Sequence, residues 1–169
     1  MTATTFPAEH IDSAAQAADR QQIQETASKL GLLADARDWE TLRELFTDSV
    51  EIDYTSLNGG EPQTVAAPDL IEGWRQVLAN LEATQHLIAG HVVTIDGDHA
   101  TCAANVQATH LLGNETGGPI WTVAGRYDYR FERTPPGWRI SGLTLTVQWA
   151  TGNQHIMQLA ASHVLPVDR

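Results

Sequence analysis

The first half of the chain carries apolar residues at the spacing of helices. In the segment 20–36 they lie three or four positions apart, at Ile23, Ala27, Leu30 and Ala34. This pattern predicts an amphipathic helix over 20–36, with Asp19 as its N-cap. Residues 1–17 show only weak periodicity, so we expect a flexible N-terminal arm or a poorly anchored helix there.

Two further helices are predicted before the long strands begin. The segment DWETLRELF, 38–46, follows the capping residue Asp38 and carries four large apolar side chains, Trp39, Leu42, Leu45 and Phe46. Pro68 opens the segment 68–82, and proline is tolerated in the first turn of a helix. The chain therefore places about three helices in its N-terminal half.

Alternating polar and apolar residues predict strands in the rest of the chain. One short strand, 49–57, ends at an Asn-Gly turn signal, and longer strands are predicted over 86–96, 99–112, 119–132 and 137–150. Helices followed by hairpin-linked strands predict an α+β fold, a cone-shaped barrel whose curved antiparallel sheet is covered by the N-terminal helices. The inside of such a cone is a natural place for a small ligand.

Length and charge restrict the class of protein. A chain of 169 residues with 42% hydrophobic residues can bury one sizeable core, so we expect a single domain over 18–150. The tail over 151–169 is assigned either to covering the pocket or to an interface. The formal net charge of -11 opposes binding to nucleic acid or to an anionic membrane. The ligand is therefore expected to be small and neutral.

The single cysteine and the N-terminus indicate the cellular compartment in which the protein is expected. Cys102 is the only cysteine, which excludes an internal disulfide and fits a reducing cytoplasm. Its neighbours in ATCAANV are small, so we interpret it as a core residue. The N-terminus lacks a basic start followed by an apolar run, and no segment has the length of a membrane span. We expect a cytoplasmic protein.

Histidines supply the candidate chemistry. The segment TQHLIAGH places His86 and His91 on one predicted strand, and without a bulge they point to opposite faces because side chains alternate. On the next strand one face is small and apolar and ends in a histidine: Ala100, Cys102, Ala104, Val106, Ala108 and His110. Such a face is typical of a cavity wall with one polar group.

Asp35 is the candidate partner for a histidine. It has no capping role, because Asp38 already caps the second helix. The positions behind it on the same helix face, Leu32, Gly31 and Ser28, include two small residues that allow the helix to lie close to the sheet. An aspartate that accepts from one imidazole nitrogen leaves the other as a general base. This chemistry suits elimination, isomerisation or aldol-type cyclisation, and it needs no nucleophilic serine or cysteine.

Other site features are weaker. Four aromatic residues are either cavity walls or plain core: Trp74, Trp121, Trp149 and Phe131. No pair of histidines stands at metal-ligand spacing on one face, so we expect neither a metal nor another cofactor.

Three segments carry a resemblance to a known family. In order they are ADARDWETLRELFTDSVEIDY, TQHLIAGHVVTIDGDHATCAANV and GRYDYRFERTPPGWRIS. Together they resemble the SnoaL-like branch of the nuclear transport factor 2-like superfamily, and most of all scytalone dehydratase and lindane dehydrochlorinase. The resemblance covers roughly 19–150, and it implies the cone-shaped α+β fold that the order of elements also predicts.

The resemblance implies roles for particular residues. In those lyases an aspartate at the end of the first helix pairs with a histidine that opens a long strand, which here are Asp35 and His86. His110 resembles a second histidine on the following strand, and Tyr54 a tyrosine that steers a water or a carbonyl. Arg126 resembles an arginine of the dehydrochlorinase pocket. Trp121, Phe131 and Val106 complete the expected substrate-binding set.

The chain also departs from the family pattern. Leu30 stands where the dehydrochlorinase has a pocket lysine, and Ala34 where scytalone dehydratase has a tyrosine. His91 replaces a common asparagine, at a position expected to face away from the cavity.

Three functions remain open from the sequence. The leading hypothesis is a cofactor-free lyase or isomerase for a small, largely apolar cyclic substrate, with His86 as base, Asp35 orienting it, and His110 or Tyr54 donating a hydrogen bond. A second is a non-catalytic binding module or the small subunit of a ring-hydroxylating dioxygenase. A third is an enzyme like ketosteroid isomerase or polyketide cyclase, with Asp53 or Asp35 as base. A homo-oligomer, trimer or dimer, is implied by the resemblance.

Overall fold

The computed structural model describes residues 13–115 and 117–162. Its helices are α1 (Ala14–Ala36), α2 (Trp39–Glu44), α3 (Thr55–Asn58), α4 (Ala67–Leu78) and α5 (His155–Ser162). Its strands are β1 (Phe46–Asp53), β2 (Gln63–Ala66), β3 (Ala83–Asp96), β4 (His99–Leu111), β5 (Ile120–Thr134) and β6 (Gly137–Gly152). Most of the predicted arm and the last part of the tail, 1–12 and 163–169, lie outside the described residues.

Helix α1 begins earlier than its apolar pattern predicts. Ser13 is the N-cap and forms a capping box with Gln16, so the prediction of Asp19 as N-cap was wrong. Asp19 lies within the helix, where it accepts hydrogen bonds from Arg133 at 2.7 Å and from the Trp138 indole at 2.9 Å. An acidic residue near a helix start resembles a cap in sequence, but here its partners come from the β5–β6 hairpin.

The region between α2 and β2 differs most from its prediction. Helix α2 ends at Glu44, and Phe46 already begins β1. The predicted strand over 49–57 stops at Asp53, whose carboxylate accepts from the Thr55 backbone N–H at 3.0 Å and from its hydroxyl at 2.7 Å. These bonds start the short helix α3 in place of a continued strand.

One curved, open sheet contains all six strands, in the order β2-β1-β6-β5-β4-β3. The predicted α+β fold is confirmed, although the sheet does not close into a barrel. Neighbouring strands are antiparallel except β1 and β6, which are parallel. The expectation of a purely antiparallel sheet was therefore wrong at one pair, which joins strands from opposite ends of the domain.

The core lies between the sheet and the helices α1, α2 and α4. Cys102 is buried there, as predicted. Helix α1 approaches β3 very closely at Gly31, where an added Cβ would lie 2.9 Å from the Cβ of His86 and 3.1 Å from its carbonyl oxygen. Gly31 is one of the two small residues predicted to allow this close packing.

The described part of the tail forms α5. Ile156 and Ala160 are fully buried, and the Asn80 side chain donates to the Ala160 carbonyl at 3.0 Å. Helix α5 is therefore anchored to the end of α4. Among the described residues, none of the helices has both the length and the apolar character needed to cross a bilayer.

Candidate functional site

A bulge in β3 decides where its two histidines point. The pairing of β3 with β4 shifts between Ala89 and Val92, and Gly90 has a φ of 74°, which glycine adopts without strain. His86 and His91 therefore both face α1, because the strand contains the bulge without which they were expected to point to opposite faces. They still do not share a site, because His91 Nε2 lies 3.3 Å from Ser28 Oγ, and Ser28 is about two helical turns away from Asp35, the partner of His86.

Asp35, at the C-terminal end of α1, is bound by two residues of β3. His86 Nδ1 lies 2.7 Å from Asp35 Oδ1, and the His86 backbone N–H donates to Oδ2 at 2.7 Å. The Thr84 hydroxyl donates to Oδ1 at 2.8 Å. The two side chains are largely shielded, with exposures of 10% for His86 and 20% for Asp35.

The surroundings keep Asp35 ionised. Burial opposes the charged form, but hydrogen bonds from the His86 side chain and backbone and from Thr84 outweigh it, so the pKa of the Asp35 carboxyl lies below its usual value. A carboxylate that accepts from Nδ1 orients the imidazole and leaves Nε2 without a proton. His86 lines a cavity, so this arrangement can supply a base to a bound molecule.

His110 on β4 lies next to His86. The two ring centroids are 5.8 Å apart with the planes nearly perpendicular, and His110 stacks on Trp121 at 5.2 Å. Only 4% of His110 is exposed, and its Nδ1 has no hydrogen-bond partner. Burial, together with the neighbouring His86, lowers the pKa of His110 to about 4. His110 is therefore a neutral imidazole with one unsatisfied nitrogen.

The two histidines line a cavity of about 490 Å³ between the sheet and helices α3, α4 and α5. Its apolar walls include Leu30, Ala34, Leu57, Trp74, Val77, Leu78, Ala108, Trp121, Val123, Leu145 and Met157. Among the described residues that line it, none is Asp, Glu, Lys or Arg. This composition suits an uncharged, largely apolar molecule.

Two tyrosines add hydroxyl groups to the cavity. Tyr54, which was predicted, and Tyr127, which was not, both line it, and the two phenols lie close enough to influence each other's pKa. Tyr127 follows Trp121 and Val123 on the inward face of β5. That alternation in the sequence was the available signal for Tyr127.

Several predicted site residues lie elsewhere. Arg126 is exposed on the outer face of β5 and pairs with Asp128 at 2.8 Å, because it alternates with the inward Tyr127. Val106 and Phe131 are buried in the main core and do not line this cavity. Trp121 and Trp74 do line it, whereas Trp149 is on the surface.

Neither a metal centre nor a second catalytic cluster emerges nearby. Within 13–115 and 117–162, no group of three or more His, Cys, Asp and Glu side chains is arranged to hold a metal ion. A wider concavity of about 750 Å³ lies on another part of the sheet, lined largely by Thr, Ser and charged residues such as Glu51 and Arg130. Glu51 and Arg130 form an ion pair with each other. The smaller cavity therefore holds the candidate chemistry.

Comparisons with known proteins agree with the fold and the resemblance. The SnoaL-like domain family matches residues 15–144. The crystal structure of Kfla4162 from Kribbella flavida is 37% identical, with a TM-score of 0.80, covering 84% of this chain and 98% of that one. Rv2910c of Mycobacterium tuberculosis is 29% identical over 128 residues, 76% of this chain and 84% of the relative.

More distant structures share the fold alone. A protein named Putative Scytalone Dehydratase from Novosphingobium aromaticivorans is 16% identical with a TM-score of 0.71, covering 82% of this chain and 89% of its own. A hexachlorocyclohexane dehydrochlorinase (LinA) type 2 is 20% identical with a TM-score of 0.66, covering 81% and 90%. The two enzymes that the sequence resembles are thus represented among its structural neighbours.

Proposed function

Because the chain belongs to the SnoaL-like domain family, we propose that it is a cofactor-free lyase or isomerase that abstracts a proton from a small, largely apolar cyclic substrate. One observation carries the proposal: Asp35 Oδ1 lies 2.7 Å from His86 Nδ1 at the wall of an apolar cavity. In this pairing Asp35 stabilises the imidazolium that forms when His86 Nε2 takes a proton.

The other polar groups of the cavity have distinct roles in an elimination. His110 lines the cavity, and burial lowers its pKa to about 4, so it is a neutral imidazole that hydrogen-bonds a substrate hydroxyl. As His86 takes the proton, the carbon–carbon double bond forms, and the C–O bond breaks. The His86 imidazolium then gives its proton to the leaving hydroxide, which becomes water, and His86 returns to its neutral form.

Isomerisation needs only part of this arrangement. His86 removes the proton, a hydrogen bond stabilises the oxygen of the resulting enolate, and the same imidazolium returns the proton to another carbon. The pair Asp35 and His86 therefore serves both reaction classes, and the substrate decides which one occurs.

The test combines turnover with the titration of the histidine rings. The substrates are neutral cyclic β-hydroxyketones, whose dehydration gives a conjugated ketone that absorbs in the ultraviolet. Replacing His86 with Ala should lower turnover by about 10²- to 10⁴-fold, the usual contribution of a general base. The matched control is His99→Ala, which removes an exposed histidine at the start of β4.

The histidine ring protons are then followed by NMR against pH in wild type and in Asp35→Asn. The proposal requires that the ring signals of one shielded histidine change once Asp35 loses its charge. Wild-type turnover in His86→Ala, or seven histidines that all ignore the Asp35 substitution, would contradict it.

The alternatives are less well supported by the site. A binding module or an accessory dioxygenase subunit has no need for an Asp35–His86 pair whose imidazole lines its cavity. A carboxylate base of the ketosteroid-isomerase type would need a free carboxylate. Asp35 is held by His86 and Thr84, and Asp53 is held by Thr55 and does not line the cavity.

A further inference from the structure

Tyr127 is the one polar side chain of β5 that lines the cavity, among the described residues. Its neighbours across the sheet are Ala104 on β4 and Leu145 on β6. The residue is buried, with 6% exposure. Tyr129, two positions further, stands 5.5 Å from it between ring centroids but does not line the cavity.

The strand register separates Tyr127 from the proposed base. His86 pairs with Ala108, and Ala108 pairs with Val123 on β5. Tyr127 lies four residues beyond Val123, which at the rise of a strand is about 13 Å along the sheet. Val123 and Tyr127 nevertheless line the same cavity. His86 and the tyrosine pair therefore stand towards opposite ends of one cavity, with room for a ring system between them.

The hydroxyls of Tyr54 and Tyr127 are suited to donate a hydrogen bond. Two hydroxyls carry two O–H protons, and even a hydrogen bond between them would use only one. Burial raises the pKa of both phenols, so both stay neutral at physiological pH. The remaining O–H is a donor for a neutral oxygen acceptor.

A charged acceptor is a poor match for this end of the cavity. No Lys or Arg is among the described lining residues, and a buried carboxylate without a cationic partner carries a large desolvation cost. A carbonyl or hydroxyl oxygen needs only the one hydrogen bond that the tyrosines can supply.

We propose that Tyr127, together with Tyr54, forms an oxygen-binding subsite, and that the substrate is an uncharged ring compound with a carbonyl or hydroxyl oxygen across the ring system from the C–H that His86 deprotonates. The position of that C–H rests on the proposed function. The subsite itself is a binding property, so it can be tested without turnover.

The test is a calorimetric comparison of three probes: 1-tetralone, its hydrocarbon parent tetralin, and 2-naphthoate. Wild type should bind 1-tetralone about three- to tenfold more tightly than tetralin, which corresponds to one neutral hydrogen bond. It should bind 2-naphthoate more weakly than 1-tetralone. Tyr127→Phe should abolish the preference for 1-tetralone over tetralin.

Tyr129→Phe is the matched control, because it removes a buried hydroxyl just outside the cavity, and it should keep the preference. Should Tyr127→Phe fail to fold, Tyr54→Phe removes the other hydroxyl of the subsite and should reduce the preference. An unchanged preference in the folded variant, no binding of 1-tetralone to wild type, or tighter binding of 2-naphthoate would each overturn the subsite.

The same titration in His86→Ala separates the two proposals. The preference for 1-tetralone should survive in that variant, since the subsite does not include His86. If the preference survives but turnover does not depend on His86, the proposed function is refuted and the subsite still stands. If Tyr127→Phe loses the preference for 1-tetralone and turnover depends on His86, both the subsite and the proposed function are supported.

Discussion

Asp35 accepts three hydrogen bonds, and all three donors belong to Thr84 and His86. The backbone N–H of His86 and the Thr84 hydroxyl hold the carboxylate while Oδ1 faces the imidazole. The orientation of the proposed base is therefore set by two residues of one strand, which the sequence presents together as TQH. Thr84 is a positioning residue in this arrangement, since it does not line the cavity.

Substitution Thr84→Val keeps the shape of the side chain and removes its hydroxyl. The carboxylate loses one of the hydrogen bonds that lower its pKa, so the Asp35 pKa should rise towards its usual value, and turnover should fall by about tenfold as the imidazole loses its fixed orientation. A carboxyl-selective NMR titration measures the change in the Asp35 pKa. Thr109→Val is the control, because Thr109 bonds Thr122 instead. An unmoved Asp35 pKa would remove Thr84 from the positioning role.

His110 should make stability depend on pH. Its pKa is lowered from 6.5 to about 4 in the folded protein, so between these values the unfolded chain binds the proton more readily. Stability from this residue is complete above pH 6.5 and is lost as pH falls towards 4, by on the order of 3 kcal/mol. Urea unfolding at several pH values should show that the free energy of unfolding falls less with decreasing pH in His110→Gln than in wild type. The exposed His99→Gln should follow wild type, and equal slopes in all three proteins would contradict the prediction.

At the scale of elements, helix α1 covers the edge of the sheet. Strand β3 is an edge strand, whose unpaired backbone groups would otherwise be open to another chain. Asp35 accepts from the His86 N–H, and Arg20 donates to the Val93 carbonyl. The bonds that hold the candidate site therefore also protect the sheet edge, and both depend on the close contact at Gly31.

Gly31→Ala should separate α1 from β3. The added Cβ would lie 2.9 Å from the His86 Cβ, so the helix must shift, at a cost of about 1–3 kcal/mol. The Asp35–His86 hydrogen bond should lengthen, and turnover should fall more than stability alone explains. Gly73→Ala is the matched control in α4, where an added Cβ meets nothing within 4 Å. It should be neutral or stabilising by up to about 1 kcal/mol in thermal unfolding. Similar stability for both variants would disprove the tight contact.

At the scale of the whole molecule, the outer face of the sheet carries exposed apolar residues. Leu87 pairs with Gln107, Gln107 with Ala124, and Ala124 with Trp149, so these side chains form one row across four strands. Leu87 is 55% exposed and Trp149 47%. Within this row Gln107 is polar and Ala124 is buried, so Leu87 and Trp149 are its exposed apolar side chains. They are candidate contacts for the expected homo-oligomer, and that assembly stays a prediction.

Sedimentation of the double variant Leu87→Lys, Trp149→Lys tests this assembly. If the row is the interface, burying two added charges without partners should shift the protein to the monomer. Leu32→Lys adds a charge at a residue that is 65% exposed on α1, and it should sediment like wild type. An unchanged oligomer in the double variant would place the interface elsewhere, and a monomeric wild type would refute the assembly itself.

The sequence by itself determined the parts of this protein that depend on local patterns. The period of apolar residues placed α1, the cap Asp38 and its apolar followers placed α2, and Pro68 placed α4. The alternation of side chains predicted the buried face of β4 that ends in His110. The sequence could also identify Gly31 and Asp35 as neighbours on one helix face, because residues three or four apart share a face. Helix α5 was missed, since so short a helix is stabilised mainly by the packing of Ile156 and Ala160.

Only the tertiary structure decided the features that depend on partners distant in the chain. The bulge at Gly90 turned His91 to the same side as His86, and the β5–β6 hairpin gave Asp19 its partners. The register of β5 sent Arg126 outward and Tyr127 into the cavity. A pattern along one segment specifies which residues share a face, but bulges and long-range pairing decide which face meets the cavity.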